Sequence, residues 1–329
     1  MGGRDEILVD VQSLTKIYTL KRNIFSRSAQ FVTAVYDVNF HIRNGEVFGL
    51  VGESGSGKTT CGRILSKLEE ATAGRIFIEG VDISQLKGRE LRDFRRKVQM
   101  IFQDPYESLN PRRTVYDTVV EPLDVQSIGD FEEREYRVWK ALKIVELYPP
   151  GDYLFRFPHE LSGGQRQRVA IARALVLEPD FVIADEPVSM LDASIRAGIL
   201  NLLLDLRSRL GLTYLFITHD VAVARYMCDR IGVIYKGKMV ELGKTEQVIH
   251  DPRHPYTKAL LSAVPIPDPR AKRERFRLED REIPDRGFDK SCIYLPRCAA
   301  SGRICRRESP EMVEVEEDHY AACHLSTEM

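Results

Sequence analysis

The alternation of apolar and polar positions predicts two kinds of β-strand in this chain. Residues 7–14 and 31–42 alternate between apolar and polar side chains, which is typical of half-buried antiparallel strands. Residues 181–185 and 213–219 are apolar throughout and rich in β-branched or aromatic residues. Such runs are typical of central parallel strands covered on both faces.

Helical patterns occupy much of the remaining chain. Residues 58–69 and the amphipathic stretch 194–210 each predict one helix, and the region from about 86 to 174 is mostly helical and rich in charge. Strands that alternate with helices indicate an α/β fold with a parallel sheet. The helical middle is expected to form a separate lobe.

Composition and charge narrow the class of protein. The 329 residues are 43% hydrophobic and 29% charged, which fits one large globular domain and a smaller piece. The net charge of −1 gives no overall field that would attract nucleic acid. No apolar run approaches the roughly 20 residues needed to span a bilayer, and residues 1–10 contain no apolar core of a secretion signal. If the protein acts at a membrane, we therefore expect it to do so from the cytoplasm, by docking on other subunits.

The composition changes after His250. A Pro-rich stretch is followed by mixed charges, so we predict a large domain at 1–264 and an extension at 265–329. Four of the six cysteines lie in the extension, and in a cytosolic protein such a group favours a metal or cofactor over disulfides. Cys61 and Cys228 are predicted to be inert core residues.

The apolar run 46–51 leads into a glycine-rich turn that fits the pattern G-x4-G-K-[ST]. Glycines let backbone N–H groups turn towards an anion, and a helix N-terminus behind them favours phosphate. Lys58 is expected to reach the β- and γ-phosphates and Thr59 to bind Mg²⁺. A chance glycine-serine turn is the alternative, but the match lies between a predicted strand and helix. The predicted nucleotide-binding residues are Gly52, Ser54, Gly55, Ser56, Gly57, Lys58, Thr59 and Thr60.

Two acidic residues follow the apolar strand 181–185. Asp185, at the carboxyl end of the strand, is placed to hold Mg²⁺ through water. Glu186 is expected to polarise the attacking water as a general base. The alternative, a pair of solvated loop acids, is disfavoured by the phosphate-binding motif upstream.

With one further motif the chain resembles the ABC ATPase family. Residues 161–165 read Leu-Ser-Gly-Gly-Gln, the family's signature, and a helix follows at 166–175. A Ser-Gly-Gly turn at a helix N-terminus is a second anion-binding site. Because one nucleotide needs only one phosphate-binding loop, this second site is expected to contact the ATP of another subunit. The resemblance implies that two ATPase subunits pair head to tail and that each signature caps the partner's γ-phosphate. The residues concerned are Ser162, Gly163, Gly164 and Gln165.

The resemblance also implies a fold. We expect an α/β P-loop NTPase, the ABC-type nucleotide-binding domain, with a mixed sheet core, an antiparallel β-subdomain, a helical subdomain at about 86–174 and a small Cys-rich C-terminal region. The resemblance covers about residues 7–260, with the family's motifs present and in family order.

Four more positions match the family's motifs. Gln103 matches the Q-loop, which contacts Mg²⁺ and the attacking water and meets the membrane subunit. Asp192 ends a D-loop in which Met190 replaces the usual Ala. His219 matches the switch histidine that contacts the γ-phosphate, and Tyr18 matches the aromatic residue that stacks on adenine. Because the general base and the switch histidine are both present, the resemblance implies ATP hydrolysis with Mg²⁺.

Three segments, 105–115, 161–175 and 251–265, look like the oligopeptide/dipeptide importer branch. The intact signature looks like the F-type ATPase of that branch, so we expect a heterodimer with a D-type ATPase subunit. The resemblance implies two transmembrane permease subunits, an extracellular solute-binding protein indirectly, and a peripheral place on the cytoplasmic face of the cell membrane. ATP-driven dimer closure would then power uptake of di- or oligopeptides.

The cysteine spacing C-x5-C-x6-C-x17-C resembles the C-terminal motif of the same branch, in which several members hold a 4Fe–4S cluster. Four thiolates also suit tetrahedral Zn²⁺, although the close C-x2-4-C pairs usual for zinc are missing. Free thiols or a disulfide remain further alternatives. The four residues are Cys292, Cys298, Cys305 and Cys323.

Three other functions are open at this point. The same machinery could import oligosaccharides, because the ATPase does not touch the cargo. A soluble ABC ATPase acting on nucleic acid or ribosomes is a different class, but such proteins carry two cassettes or long coiled-coil insertions. A regulatory subunit whose tail binds transcription factors is disfavoured by the cysteines. We expect no nucleic-acid partner.

Overall fold

A computed structural model describes four stretches of the chain, and the described residues group into two compact units. The stretches are residues 6–20, 30–104, 108–263 and 291–326. The first unit comprises residue 6 with 43–46 and 85–216; the second comprises 7–42, 47–84 and 217 onward.

The first unit combines helices with two parallel strands. Strand β6 (Val98–Ile101) pairs in parallel with β7 (Phe181–Asp185), whose five residues are all buried. The predicted helical region 86–174 is largely helical, but it also contains β6, which is too short to give a recognisable pattern. The helices of this unit are α2 (Gly88–Lys97), α3 (Val115–Gln126), α4 (Phe131–Ile144), α5 (Gly163–Leu175) and α6 (Ala193–Leu210).

Local sequence explains where these helices begin and end. Thr114 caps α3 in a capping box, because its side chain accepts from the N–H of Asp117 while the Asp117 carboxylate accepts from the N–H of Thr114. Helix α6 buries Ile199, Leu203 and Leu206, which lie on one face at intervals of four and three residues. It ends at Gly211 with φ of 69°, a usual stop for a helix.

The second unit begins with an antiparallel sheet in the order β2-β1-β4-β5. Strand β1 (Ile7–Leu20) runs antiparallel to β4 (Ala73–Ile78), and β4 runs antiparallel to β5 (Val81–Asp82). The two predicted alternating strands are therefore confirmed, but β1 continues six residues beyond the predicted end. Strand β2 spans Gln30–Arg43.

This unit also contains five strands of a mixed sheet, in the order β11-β12-β10-β9-β3. Strand β3 (Val47–Val51) is parallel to β9 (Arg230–Tyr235), whereas β9 is antiparallel to β10 (Lys238–Lys244). The C-terminal extension supplies β11 (Val313–Glu316) and β12 (His319–Ala321), and β12 pairs with β10. The sequence patterns did not predict β9 to β12. The extension thus adds two strands to one edge of the sheet that contains β3, the strand before the glycine-rich turn.

Among the described residues, one further strand and four α-helices remain. Strand β8 (Thr213–Thr218) contains the point at which the chain passes from the first unit to the second. Helix α1 stops at Leu65 rather than at the predicted residue 69. The helices of the second unit are α1 (Lys58–Leu65), α7 (Val221–Met227), α8 (Thr245–His250) and α9 (Pro255–Ser262).

Some predictions fall outside the described residues. These are the proposed domain boundary near Pro265, residues 105–107 of one branch-specific segment and residues 264–265 of another. Within the stretches that are described, no helix combines the length and the apolar character required to cross a membrane.

Candidate functional site

The glycine-rich turn lies between β3 and α1, as predicted, and packing demands glycine at two of its positions. A Cβ on Gly52 would lie 2.2 Å from the carbonyl oxygen of Ile234. A Cβ on Gly57, whose φ is 101°, would lie 2.3 Å from the carbonyl oxygen of Ala34. Both neighbours are backbone atoms that no side-chain rotation can move. The turn is therefore held against β9 and β2 in a conformation that only glycine permits.

Lys58 is buried within this turn, with 4% exposure. Its Nζ donates to the carbonyl oxygens of Gly52 and Glu53, both at 2.8 Å, and to the Oγ of Ser56 at 3.3 Å. Thr59, the predicted Mg²⁺ ligand, is exposed at the start of α1. The ammonium group is thus positioned by the loop that is predicted to hold phosphate.

Tyr18, the residue predicted to stack on adenine, lies beside Thr60 at the start of α1. Its hydroxyl donates to Glu69, and a hydrogen bond from Thr60 partly offsets the rise in its pKa caused by burial and by Glu69. The Nζ of Lys16 lies 5.0 Å from the ring centroid. Because the Lys16 cation lies over one face of the Tyr18 ring, a nucleotide base would stack on the other face.

In the first unit, the carboxyl end of β7 brings two predicted catalytic residues together. The Nε2 of Gln103 donates to the Oε2 of Glu186 at 3.1 Å across 83 residues of sequence. Glu186 has φ of 46°, in the left-handed region that non-glycine residues rarely adopt. Strained backbone of this kind concentrates at functional sites. Asp185 is 3% exposed at the end of the strand, where a metal ligand was predicted.

The signature residues form the beginning of α5. Ser162 is the N-cap: its Oγ accepts from the N–H of Gln165 at 3.3 Å, and the side chain of Gln165 accepts from the N–H of Ser162 at 2.9 Å. Gly164 packs against α6, where an added Cβ would lie 2.6 Å from Ile195 Cγ2. Ser162 itself is exposed. The predicted anion cradle is thus a capped helix start on the protein surface.

Asp192 and His219 each lie on the surface at the junction of two elements. Asp192 is exposed and precedes α6, and its carbonyl oxygen accepts from the N–H of Arg196 at 2.8 Å. His219 is exposed immediately after β8, before Asp220, whose side chain caps α7. Both positions suit contact with a nucleotide or a partner, as the motifs imply.

The four C-terminal cysteines line one cavity in the second unit, together with His254 and His324. Burial, followed by the neighbouring thiols, raises the pKa of Cys292 to about 11 and also raises the pKa of Cys298 and of Cys323. Four thiols that line one cavity are the donor type that a zinc ion or an iron–sulfur cluster requires. Within the stretches that the structure describes, however, no three His, Cys, Asp or Glu side chains converge as ligands of one metal ion.

The other two cysteines are buried, as predicted. Cys61 is fully buried in α1, and burial raises the pKa of its thiol to about 12, so it stays protonated and unreactive.

Sequence reasoning missed three residues at the glycine-rich turn. Glu53 lies within the turn, and it contacts Tyr256 from α9 and Arg297 from the cysteine-rich extension. Arg297 immediately precedes Cys298, and Tyr256 lies in the branch-specific segment 251–265. The positions of Arg297 next to the cysteine motif and of Tyr256 in a branch-specific segment were the sequence signals that could have identified these residues.

Comparison with known proteins decides the family. Residues 35–189 match the family described as ABC transporter, and residues 240–305 match the oligopeptide/dipeptide transporter C-terminal region. A putative peptide import ATP-binding protein of Brucella ovis is 50% identical over 96% of this chain and 97% of its own length. The chain belongs to the ABC transporter family, in its oligopeptide/dipeptide branch.

Further relatives and solved structures agree with this assignment. The oligopeptide transport ATP-binding protein AppF of Bacillus subtilis is 43% identical over 98% of this chain and 99% of its own length. The dimeric ATP-binding cassette MJ0796, bound to ADP and Pi in a post-hydrolysis state, is 34% identical with a TM-score of 0.63, covering 72% of this chain and 98% of that one. The cassette cbiO1 of Clostridium perfringens is 28% identical with a TM-score of 0.64, covering 75% and 92%. This member of the ABC family thus has the expected cassette fold, with a mixed sheet and helices, and is an ATPase.

Proposed function

We propose that this chain is the ATP-hydrolysing subunit of an ABC importer that takes up di- or oligopeptides through partner permease subunits. The hydrolytic part rests on the contact between Gln103 and Glu186, which brings the Q-loop to the predicted base. The cargo rests on the relatives, which are named for peptide or oligopeptide transport. These names favour peptides over oligosaccharides.

Each unit contributes a part of the chemistry. In the second unit, the N–H groups of the glycine-rich turn and Lys58 would bind the phosphates, Tyr18 would stack on adenine, and His219 would contact the γ-phosphate. In the first unit, Glu186 would accept a proton from the attacking water while Gln103 holds its carboxylate. Bound Mg²⁺, held by Thr59, Asp185 and Gln103, would neutralise the phosphate charge.

The signature would act on a second ATPase subunit. Ser162 to Gln165 form a helix start whose exposed cap suits a phosphate presented by a partner, and Asp192 lies on the surface as a D-loop residue should. We propose a D-type ATPase as this partner, two permeases as the membrane subunits and a solute-binding protein as the source of cargo. The complex would place this chain on the cytoplasmic face of the membrane.

We also propose that the four-cysteine cavity holds a 4Fe–4S cluster, with Zn²⁺ as the alternative. The support is that Cys292, Cys298, Cys305 and Cys323 line one cavity and that four thiolates suit either group. The group would link the segments that carry these thiols. Iron, sulfide and zinc analysis of anaerobically purified protein tests this: a colourless, metal-free protein would contradict it.

The transport proposal is tested with the assembled complex in proteoliposomes. Di- and oligopeptides should stimulate ATP turnover and accumulate in the vesicles, and oligosaccharides should do neither. The Glu186→Gln complex is the matched control and should support no uptake. Copurification with ribosomes and no association with a permease would contradict the proposal.

A further inference from the structure

The cysteine-rich extension docks directly on the glycine-rich turn. The Nη1 of Arg297 donates to both carboxylate oxygens of Glu53, at 3.0 and 3.3 Å, although 244 residues separate the two in sequence. The Arg297 side chain is 11% exposed and that of Glu53 is 40% exposed. A partly buried guanidinium that donates to a carboxylate forms a charge-assisted hydrogen bond, which is stronger than a bond between neutral groups.

A second contact fixes the backbone of the same residue. The N–H of Glu53 donates to the hydroxyl of Tyr256 at 2.9 Å, and Tyr256 is fully buried. The Tyr256 ring packs against Tyr235 at the end of β9 and against Tyr294 of the extension, with centroid distances of 4.6 and 5.6 Å. Tyr294 also packs edge-on against Tyr235 at 5.1 Å. This aromatic group ties the extension to α9 and to the sheet.

The carbonyl oxygen of Glu53 makes a further contact: it accepts a hydrogen bond from Lys58 Nζ at 2.8 Å. The same carbonyl accepts from the N–H of Ser56 at 3.2 Å. Glu53 is therefore held at its N–H by Tyr256 and at its carboxylate by Arg297, while its carbonyl holds the lysine predicted to reach the phosphates. A displacement of Glu53 would displace that lysine.

The charge of Glu53 gives the Arg297 contact a second consequence. A carboxylate in a loop that binds a triphosphate repels the ligand unless a cation compensates it. Arg297 supplies that cation from the extension, in partly buried surroundings where solvent screens the pair less.

We propose that Arg297 is a positioning residue for ATP binding: the extension completes the nucleotide site by neutralising Glu53 and fixing the glycine-rich turn. Tyr256 supports the same residue through its backbone. The inference rests on the proposed role of the glycine-rich turn as the ATP site, and it assigns to the extension an effect on nucleotide affinity.

The test is a titration of the full-length chain with a fluorescent ATP analogue, combined with steady-state turnover. Arg297→Met should weaken binding about tenfold, equivalent to roughly 1.4 kcal/mol. It should raise KM with kcat little changed, since binding and not chemistry is affected. The matched control is Arg303→Met, which removes an exposed arginine of the same extension and should bind as the wild type does.

A second variant separates charge neutralisation from simple anchoring. Glu53→Gln removes the acid, so the double variant Arg297→Met with Glu53→Gln should recover most of the lost affinity. Unchanged affinity in Arg297→Met would overturn the proposal, and so would a double variant as weak as Arg297→Met. Thermal unfolding of each variant identifies any general loss of folding.

Lys58→Ala distinguishes this inference from the proposed function. If Lys58→Ala abolishes nucleotide binding and Arg297→Met has no effect, only the role of the extension is wrong. If Lys58→Ala binds nucleotide normally, the assignment of the ATP site itself is wrong.

Discussion

Gln103 donates a hydrogen bond from its Nε2 to the Oε2 of Glu186 at 3.1 Å, and Glu186 holds its left-handed backbone conformation beside the buried Asp185. The amide thus orients one oxygen of the carboxylate. This is the arrangement expected of a general base whose direction is set by a neighbour.

Replacing Glu186 with Gln should remove the base and preserve the shape of the site. We expect ATP affinity within about twofold of the wild type and turnover lower by about 10²- to 10⁴-fold, the usual contribution of a general base. Nucleotide titration and phosphate release measure the two effects. The control Glu178→Gln, an acid of the same unit paired with Lys140, should turn over normally. Near wild-type hydrolysis by Glu186→Gln would show that another group is the base.

The two signature glycines should differ in their tolerance of a methyl group. In Gly164→Ala the new Cβ would lie 2.6 Å from Ile195 Cγ2, so α5 and α6 must separate; we expect a loss of about 1–3 kcal/mol in the free energy of unfolding. In Gly163→Ala the Cβ would lie 3.5 Å from Leu191 Cδ2, an ordinary contact, and stability should be nearly unchanged. Urea unfolding of both variants makes the comparison. Equal stability of the two would contradict the close packing of α5 on α6.

The buried pair of Glu241 and His319 should anchor the C-terminal hairpin, which consists of β11 and β12. Both side chains are fully buried; Glu241 accepts from His319 Nε2 at 2.8 Å and from the N–H groups of Arg253 and His254 at 2.8 and 2.9 Å. In Glu241→Gln one acceptor becomes a donor that faces N–H groups, so we expect a loss of about 1–3 kcal/mol in unfolding free energy. Urea unfolding measures it. Glu316→Gln, a change at an exposed acid of the same hairpin, should leave stability unchanged.

His254 should make stability fall on acidification. It is buried beside Tyr294, its Nδ1 accepts from the N–H of Tyr256, and burial lowers its pKa to about 3 from an ordinary value of 6.5. Above the unfolded pKa both states are neutral; below it the unfolded chain binds a proton that the folded chain refuses. The stabilising contribution is therefore complete above that value and is lost as the pH falls towards the folded pKa.

The measurement compares the wild type with His254→Asn, which keeps an acceptor for the cap and removes the titration. Below pH of about 6.5 the unfolding free energy of the wild type should fall more steeply, by up to roughly 1.4 kcal/mol per pH unit. At pH of about 7.5 the difference between the two proteins should be constant. Identical slopes in urea titrations at mildly acidic pH would contradict the buried neutral state.

Local patterns predicted part of the architecture well. The antiparallel strands β1 and β2, the buried strands β3, β7 and β8 and helix α6 have regular periodicity, and each was recognised with its type. Helix α1 was predicted four residues too long, because Glu69 lies on the helical pattern but pairs instead with Arg63 and Tyr18. Tertiary contacts of this kind end an element without leaving a local signal.

The strands of the C-terminal hairpin could not be predicted from local sequence. Residues 313–316 are mostly exposed, and β12 has only three residues, so neither has a pattern long enough to predict. Their position depends on pairing with β10 and on the bond between His319 and Glu241. Strands at the edge of a sheet are decided by their neighbours more than by propensity.

The sequence by itself determined the motifs: the glycine-rich turn, the acidic pair after β7 and the signature are contiguous runs whose residue types predict phosphate binding and water activation. Only the tertiary structure decided which distant residues support them. Gln103 meets Glu186 across 83 residues, and Arg297 meets Glu53 across 244. The reason is physical, since a motif is encoded by neighbours along the chain, whereas a long-range contact depends on how sheets and helices bring separate segments together.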